Sequence, residues 1–174
     1  MKAPHLETFL SRLDIKKIVQ ALAARISKDY RDQEVVLIGV LKGGFVFLAD
    51  LIRELTNPVQ IDFIQAASYG SETTSTGQVE MKKKLEMDIA DRHVLLVEDI
   101  VDSGLTIAYL LEYLKQLKPA SVKVCAFINK VERRKIDVPI DYVGHTVEAG
   151  FLVGYGLDLN ERYRDLPGLY HLKT

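Results

Sequence analysis

Two patterns of apolar residues alternate along the chain. Branched apolar residues form short continuous runs, as in strands buried on both faces of a parallel sheet. Between these runs, apolar residues recur three and four positions apart, as on one face of a helix. The runs predict strands at 35–40, 59–66, 93–99, 121–128 and 141–147, and the helical spacing predicts helices at 14–28, 45–55 and 107–117. The alternation predicts an α/β fold, with a mostly parallel sheet flanked by helices on both faces.

The segment "SYGSETTSTGQ", residues 68–78, interrupts this alternation. Six of its eleven residues are Ser or Thr and none is aliphatic, so we expect a long loop that packs into no core. Residues 79–87 are then expected to pair back as one arm of a hairpin. No repeat or linker divides the chain, which predicts a single domain over residues 1–174.

Composition narrows the class of protein. The chain is 48% hydrophobic and 27% charged, and its net charge of -1 gives no argument for a nucleic acid or a membrane as partner. The lone Cys125 lies in an apolar run and has no second cysteine to pair with. No apolar stretch approaches the roughly 18 residues that span a bilayer, and the N-terminus lacks a signal peptide's apolar core. We therefore expect a cytoplasmic protein.

The stretch "HVLLVEDIVDSGLT", residues 93–106, places three acids where a buried strand ends. In open parallel sheets, ligands bind beyond the carboxyl ends of the strands. Glu98 and Asp99 lie at such an end, and the turn 102–106 leads into a helix, where backbone N–H groups, Gly104 and two hydroxyls suit a phosphate. Carboxylates beside a phosphate suit Mg²⁺ shared with the substrate.

A second interpretation of the same acids needs no ligand. Glu98 and Asp99 could form a solvated strand end, and Asp102 could be an ordinary helix N-cap. The residue types alone leave both interpretations open.

The order of residues in this stretch resembles a family signature. An apolar run, Glu-Asp, two apolar residues, Asp-Ser-Gly and Thr resemble the phosphoribosyl-diphosphate motif of the type I phosphoribosyltransferases, in the form found in 6-oxopurine enzymes. The resemblance implies that family's fold, with a small hood formed by terminal segments. It also implies Mg²⁺ as cofactor and transfer of phosphoribosyl from phosphoribosyl diphosphate to hypoxanthine or guanine. Since relatives form dimers or tetramers, we expect a homodimer or homotetramer.

The resemblance assigns a role to each residue of the motif. Glu98 and Asp99 bind the ribose hydroxyls and the metal. Asp102 is the candidate general base, which accepts a proton from the N7 side of the purine. The 5′-phosphate is held by Ser103, Gly104, Leu105 and Thr106.

Two earlier segments resemble loops of the same family. "LKGGFVF" resembles the loop in which the Leu41–Lys42 backbone takes a cis form and, with Gly43, contacts pyrophosphate. "SYGSETTSTGQ" resembles the lid that excludes water from the site, and Ser68-Tyr69 is its recognisable pair. In isolation they could be a Gly-rich turn and a disordered loop.

"NKVERRK" and "VGHTVEAGFLVGYGLDLNERYRD" resemble the base-recognition segment and the C-terminal motif. Lys130 then donates to the purine 6-oxygen, Phe151 stacks on the ring, and the Leu152 backbone meets the ring edge. Asp158 lies at the purine site and helps to hold a second metal, and Arg164 meets the pyrophosphate.

These segments also allow simpler interpretations. The run Lys130, Arg133, Arg134 and Lys135 could be a solvated basic face, and Phe151 could be a core residue. Many relatives have Asp where this chain has Asn129, which leaves the local support of Lys130 open.

Two other classes of protein compete with the enzyme. An RNA-binding regulator of the same fold, such as a pyrimidine-operon attenuator, would need a basic patch, and 23 basic against 24 acidic residues give no sign of one. A receiver domain carries its acidic pair after the first strand, whereas this pair falls near residue 98.

Overall fold

The structure, a computed structural model, describes residues 5–68 and 79–173. The predicted lid at 69–78, including Tyr69, lies outside the described residues, and Ser68 is the last residue of a strand. The strands are β1 (His5–Leu10), β2 (Val35–Leu41), β3 (Val59–Ser68), β4 (Val79–Lys83), β5 (His93–Val101), β6 (Ser121–Lys130), β7 (Tyr142–Val147), β8 (Leu152–Val153) and β9 (Leu169–Lys173). The helices are α1 (Arg12–Asp29), α2 (Phe45–Glu54) and α3 (Leu105–Gln116).

Six strands form the central sheet in the order β4-β3-β2-β5-β6-β7. Every neighbouring pair is parallel except β3 and β4, which pair antiparallel as the predicted hairpin. Alternate residues of each central strand bury on opposite faces. On β2, for example, Leu37 packs with α1 and α2, while Ile38 packs with α3. The predicted α/β architecture is therefore confirmed.

Helix α1 begins two residues before the periodicity predicts, because of a capping box. The Ser11 hydroxyl accepts a hydrogen bond from the Asp14 backbone N–H at 3.2 Å, and the Asp14 carboxylate accepts one from the Ser11 N–H at 3.0 Å. These bonds satisfy N–H groups that the first helical turn leaves unpaired. No helix within residues 5–68 and 79–173 combines the length and the apolar character needed to cross a membrane.

A second, three-stranded antiparallel sheet has the order β1-β9-β8 and forms the predicted hood from both terminal segments. Phe9 of β1 packs edge-on against the rings of His145 on β7 and His171 on β9, with centroids 5.4 and 4.8 Å away. The Leu172 N–H donates to the Phe151 carbonyl at 2.9 Å. The hood thus holds the segment that leads into β8.

The central sheet opens between β2 and β5. These strands pair from Val35 and His93 only as far as Gly39 and Val97. Beyond that point β2 continues with β3, and β5 continues with β6 as far as Val101. Because the chain leaves β2 and β5 toward opposite edges of the sheet, their carboxyl ends diverge at a topological switch point, where ligands bind in open α/β sheets.

Candidate active site

A cleft of about 530 Å³ opens at this switch point. Apart from Leu105, the first residue of α3, every site residue that the sequence predicts outside residues 68–78 lines it. The predicted residues that line it are Leu41, Lys42, Gly43, Glu98, Asp99, Asp102, Ser103, Gly104, Thr106, Lys130, Phe151, Leu152, Asp158 and Arg164. Segments far apart in sequence therefore meet as the resemblance implies.

Glu98 and Asp99 form a buried acidic pair near the end of β5. Their residues are only 6% and 8% exposed, so they are not a solvated strand end. The Asp99 N–H donates to Glu98 Oε1 at 3.1 Å, and the Ile100 N–H donates to Asp99 Oδ1 at 2.9 Å. Burial, followed by the charge of Asp99, raises the pKa of Glu98 well above its ordinary value. A bound cation, or hydroxyl groups that donate hydrogen bonds, would offset the burial and the mutual repulsion of the two carboxylates.

The pair is packed directly against the turn that follows β2. A Cβ atom added to Gly43 would lie 1.7 Å from Asp99 Oδ2, so a side chain at this position would require the turn or the carboxylate to move. The Leu41–Lys42 peptide bond before it is cis, as the resemblance predicts. Lys42 Nζ pairs with Glu161 Oε1 at 3.1 Å. The cleft thus has acidic and basic groups on adjoining walls.

Asp102 is not a helix cap. The N-cap of α3 is Gly104, with φ +83°, and it makes no side-chain capping bond. Asp102 Oδ1 is instead buried without a hydrogen-bond partner among the described residues, and Oδ2 lies 3.9 Å from Lys130 Nζ. A Cβ at Gly104 would meet the Ile136 carbonyl at 2.3 Å, so the backbone of the turn packs closely against Ile136. The start of α3 therefore presents backbone N–H groups to the cleft beside an unpaired carboxylate oxygen.

Arg134 supports this turn, a role that the sequence did not reveal. Its Nε donates to the Asp102 carbonyl at 2.9 Å, and its Nη2 contacts the carbonyls of Val101 and Lys130, both at 3.1 Å. Nη2 also donates to Asn129 Oδ1 at 2.5 Å. Arg134 therefore ties the end of β5 to the end of β6, and Asn129 takes part in that support. At this position the basic run is not a solvated face.

The residues that the resemblance assigns to base recognition also line the cleft. Lys130, the last residue of β6, is buried, and its Nζ pairs with Glu132 Oε2 at 3.2 Å. Phe151 is 40% exposed, so it is not a core residue, while Leu152 is buried at the start of β8. An exposed aromatic ring beside a buried ammonium suits a flat, polar-edged heterocycle.

Arg164 and Asp158 occupy the corner near the cis peptide. Arg164 Nη1 donates to the Gly156 carbonyl at 2.7 Å, and Nη2 pairs with Asp158 Oδ1 at 2.9 Å. Nη2 also lies 3.3 Å from Glu161 Oε2, whereas the buried Nε has no hydrogen-bond partner among the described residues. The Nε donor of the guanidinium is therefore available to a ligand. Asp158 is ion-paired here, and its part in metal binding stays a prediction.

The residues fit a magnesium ion that the substrate helps to hold. Within residues 5–68 and 79–173, no group of three or more His, Cys, Asp or Glu side chains is placed to hold a metal by itself. Mg²⁺ does not require such a group, because it is usually bound by one or two carboxylates, waters and substrate phosphates. Glu98 and Asp99 supply two buried carboxylates of that kind.

Comparisons with known proteins agree with this geometry. The phosphoribosyl transferase domain family matches residues 5–160. A hypoxanthine-guanine phosphoribosyltransferase of Aquifex aeolicus is 44% identical over 171 residues, which are 98% of this chain and 96% of the relative.

Solved structures agree as well. The crystal structure of a hypoxanthine-guanine phosphoribosyltransferase from Bacillus anthracis, with a HEPES molecule in its active site, superposes with a TM-score of 0.91 at 44% identity and covers 96% of this chain and 98% of that one. A structure of Trypanosoma cruzi hypoxanthine phosphoribosyl transferase, concerned with the role of its C-terminal region in oligomeric state and activity, gives a TM-score of 0.89 at 38% identity, covering 96% and 91%. The chain belongs to the phosphoribosyltransferase family, and within it to the hypoxanthine and hypoxanthine-guanine phosphoribosyltransferases.

Proposed function

We propose that the chain acts in purine salvage and transfers the 5-phosphoribosyl group from phosphoribosyl diphosphate to N9 of hypoxanthine or guanine. The bond from ribose C1′ to the pyrophosphate oxygen breaks, and a bond from C1′ to N9 forms. The products are inosine or guanosine monophosphate and pyrophosphate. The observation that carries the proposal is the placement of Asp102, with its unpaired buried oxygen, beside the buried Lys130 in the cleft at the switch point.

Asp102 is the general base. As N9 attacks C1′, the purine must lose a proton, and Asp102 accepts it from the N7 side through Oδ1. Support comes from the missing partner of Oδ1, since a buried carboxylate oxygen without a hydrogen bond is costly unless a ligand supplies one. Lys130 Nζ, 3.9 Å from Oδ2, donates to the 6-oxygen on the adjoining edge of the same ring.

The ring is held from its face and its far edge. Phe151 stacks on the purine, and its exposure in the cleft supports that role. The backbone of Leu152 contacts the remaining edge and so tests the group at position 2. Since backbone groups near Leu152 are proposed to meet that position, we expect hypoxanthine, guanine or both to be accepted.

The sugar phosphate lies along the carboxyl end of β5 and the first turn of α3. The 5′-phosphate is held by Ser103, Gly104, Leu105 and Thr106, where uncapped backbone N–H groups and the helix dipole favour an anion. Glu98 and Asp99 accept hydrogen bonds from the ribose 2′ and 3′ hydroxyls. They also hold Mg²⁺, which when bound neutralises charge on the diphosphate.

The leaving pyrophosphate occupies the basic corner of the cleft. The backbone at Leu41, Lys42 and Gly43 contacts its oxygens, and Arg164 adds a guanidinium. The free Nε of Arg164 supports this placement, since it is a buried donor without a partner. Asp158 would help to hold a second metal. Ser68 and Tyr69 belong to the lid that excludes water during transfer.

The test is a panel of hypoxanthine, guanine, xanthine, adenine and uracil, each with phosphoribosyl diphosphate and Mg²⁺, followed spectrophotometrically. The proposal predicts turnover with hypoxanthine or guanine, none with uracil, and little with adenine, which has no 6-oxygen for Lys130. Omission of Mg²⁺ is expected to abolish the rate. Absence of turnover with every 6-oxopurine would reject the proposal.

The assembly is proposed to be a homodimer or homotetramer of single-domain chains that works in the cytoplasm. Support for association comes from a second cleft of about 1060 Å³ between α1, α2 and residues 164–167, whose rim exposes Leu13 and Phe45. The C-terminal region of the Trypanosoma cruzi relative has been studied for its role in oligomeric state. Light scattering after size exclusion gives the mass directly; a monomer at micromolar concentration would contradict association.

A further inference from the structure

Glu132 stands between the two groups that are proposed to contact the purine. It lies in the turn after β6, and its Oε2 pairs with Lys130 Nζ at 3.2 Å. Its carboxylate also accepts a hydrogen bond from the Gly150 N–H at 3.3 Å. One side chain therefore connects the buried lysine at the end of β6 with the segment that carries Phe151.

The contact with Lys130 is the closer of that lysine's two ion pairs. Lys130 has a side chain only 7% exposed, so its ammonium needs a partner to offset the loss of hydration. Asp102 lies farther away, at 3.9 Å, and keeps one oxygen unpaired. Glu132 thus draws the ammonium toward itself and leaves the Asp102 carboxylate free for the purine.

The contact with Gly150 helps to position the segment that carries Phe151. Gly150 has φ +111°, and a Cβ there would lie 2.8 Å from His171 Nδ1 of the hood, so the backbone approaches β9 closely. The neighbouring Phe151 carbonyl accepts from the Leu172 N–H. The segment is therefore held by the hood on one side and by Glu132 on the other.

We propose that Glu132 is a positioning residue for purine binding, which sets Lys130 and the Phe151 segment at the spacing that a 6-oxopurine requires. This inference rests on the proposed function. The hydrogen bonds from Lys130 and from Gly150 lower the pKa of Glu132, so the carboxylate is ionised at neutral pH. Its effect is confined to the base, because its described partners are Lys130 and Gly150, not the sugar-phosphate groups.

The test compares Glu132→Ala and Glu132→Gln with the wild-type chain. Glu132→Ala is expected to raise KM for hypoxanthine about tenfold or more, the size expected for a lost charge-assisted hydrogen bond. KM for phosphoribosyl diphosphate stays within about twofold. Glu132→Gln keeps an acceptor for Lys130 and Gly150, so its KM for hypoxanthine falls between those of the wild type and the alanine variant.

Glu112→Ala is the matched control. Glu112 also pairs with a lysine, Lys115 at 2.7 Å, but lies on the exposed surface of α3 outside the cleft, so both KM values are expected to stay unchanged. The wild-type rate with hypoxanthine reports on the proposed function, and the variant-to-wild-type ratio of KM reports on Glu132. A ratio below two for Glu132→Ala, an equal rise in both KM values, or a glutamine variant no better than alanine would overturn the inference.

Discussion

Glu98 and Asp99 are destabilising to the protein without ligand. Two adjacent carboxylates are buried in β5, and the pKa of Glu98 is raised by burial and by the charge of Asp99. Two buried carboxylates are costly to the fold, and we infer that they are retained for the proposed substrate and metal rather than for stability. Stability and substrate affinity should therefore respond in opposite directions when the pair is changed.

Glu98→Gln tests whether stability and substrate affinity change in opposite directions. Because the folded pKa of Glu98 exceeds its unfolded value, the folded chain holds a proton that the unfolded chain releases, and stability falls as pH rises from about 4.3 through the raised pKa. The glutamine side chain does not ionise, so the variant does not lose stability in this way as pH rises. Its free energy of unfolding should therefore exceed the wild-type value at pH 8 by about 1 kcal/mol or more. The excess should shrink toward pH 5.

The measurement is guanidinium unfolding at both pH values, together with the affinity for phosphoribosyl diphosphate. Affinity should weaken in the variant, because a neutral amide is a poorer metal ligand and hydroxyl acceptor than a carboxylate. A variant that is less stable at pH 8, or one that binds the diphosphate as tightly as wild type, would contradict the assignment.

At the scale of elements, the site depends on how closely the turn after β2 approaches β5. Gly43 lies so close to the Asp99 carboxylate that an added side chain would displace one of them. The cis Leu41–Lys42 peptide and the acidic pair are thereby placed on adjoining walls of one cleft. We therefore expect the proposed pyrophosphate and ribose positions to be coupled through packing of the two elements.

Gly43→Ala should separate these elements. The added Cβ would lie 1.7 Å from Asp99 Oδ2, so either the turn or the carboxylate must move. A displacement of about 1 Å near reacting groups costs on the order of 10²-fold in rate, and we expect a loss of that size in kcat/KM for phosphoribosyl diphosphate. Steady-state kinetics with circular dichroism as a check on folding would measure it. A value near wild type would show that the close approach is unimportant.

At the scale of the whole molecule, the hood is attached to the central sheet through Phe9. Its ring packs on His145 of β7 and His171 of β9. Phe9→Ala should lower the free energy of unfolding by about 1 to 3 kcal/mol, since it removes partly buried aromatic contacts. It should also raise KM for hypoxanthine more than KM for the diphosphate, because the hood holds the Phe151 segment. Unchanged stability, or equal effects on both KM values, would argue against this coupling.

The central sheet could be predicted from the sequence because its strands are buried on both faces and read as continuous apolar runs. The hood sheet could not be predicted from such runs. β8 has only two residues, and β1 is largely exposed and pairs with β9 at the other end of the chain. Pairing over that distance leaves no local periodicity, so the hood was predicted from the family resemblance alone.

The site residues likewise divide into those that the sequence predicts and those that it does not. Residues 98–106 form one contiguous motif, so their neighbourhood could be predicted directly. Arg134 and Glu132 looked like members of an ordinary charged run. The role of Arg134 arises because β5 pairs with β6 and brings the ends of those strands together, and that of Glu132 because Gly150 lies beside the end of β6. The residue types alone indicate neither.

The central claim is that Asp102 takes the purine proton during phosphoribosyl transfer, and the most direct measurement is kcat for Asp102→Asn with hypoxanthine. The variant keeps the size of the side chain but loses the basic oxygen, so kcat should fall by on the order of 10²-fold or more. Affinity for inosine monophosphate should change little, which separates the chemical step from binding. A variant that turns over at nearly the wild-type rate would contradict the account.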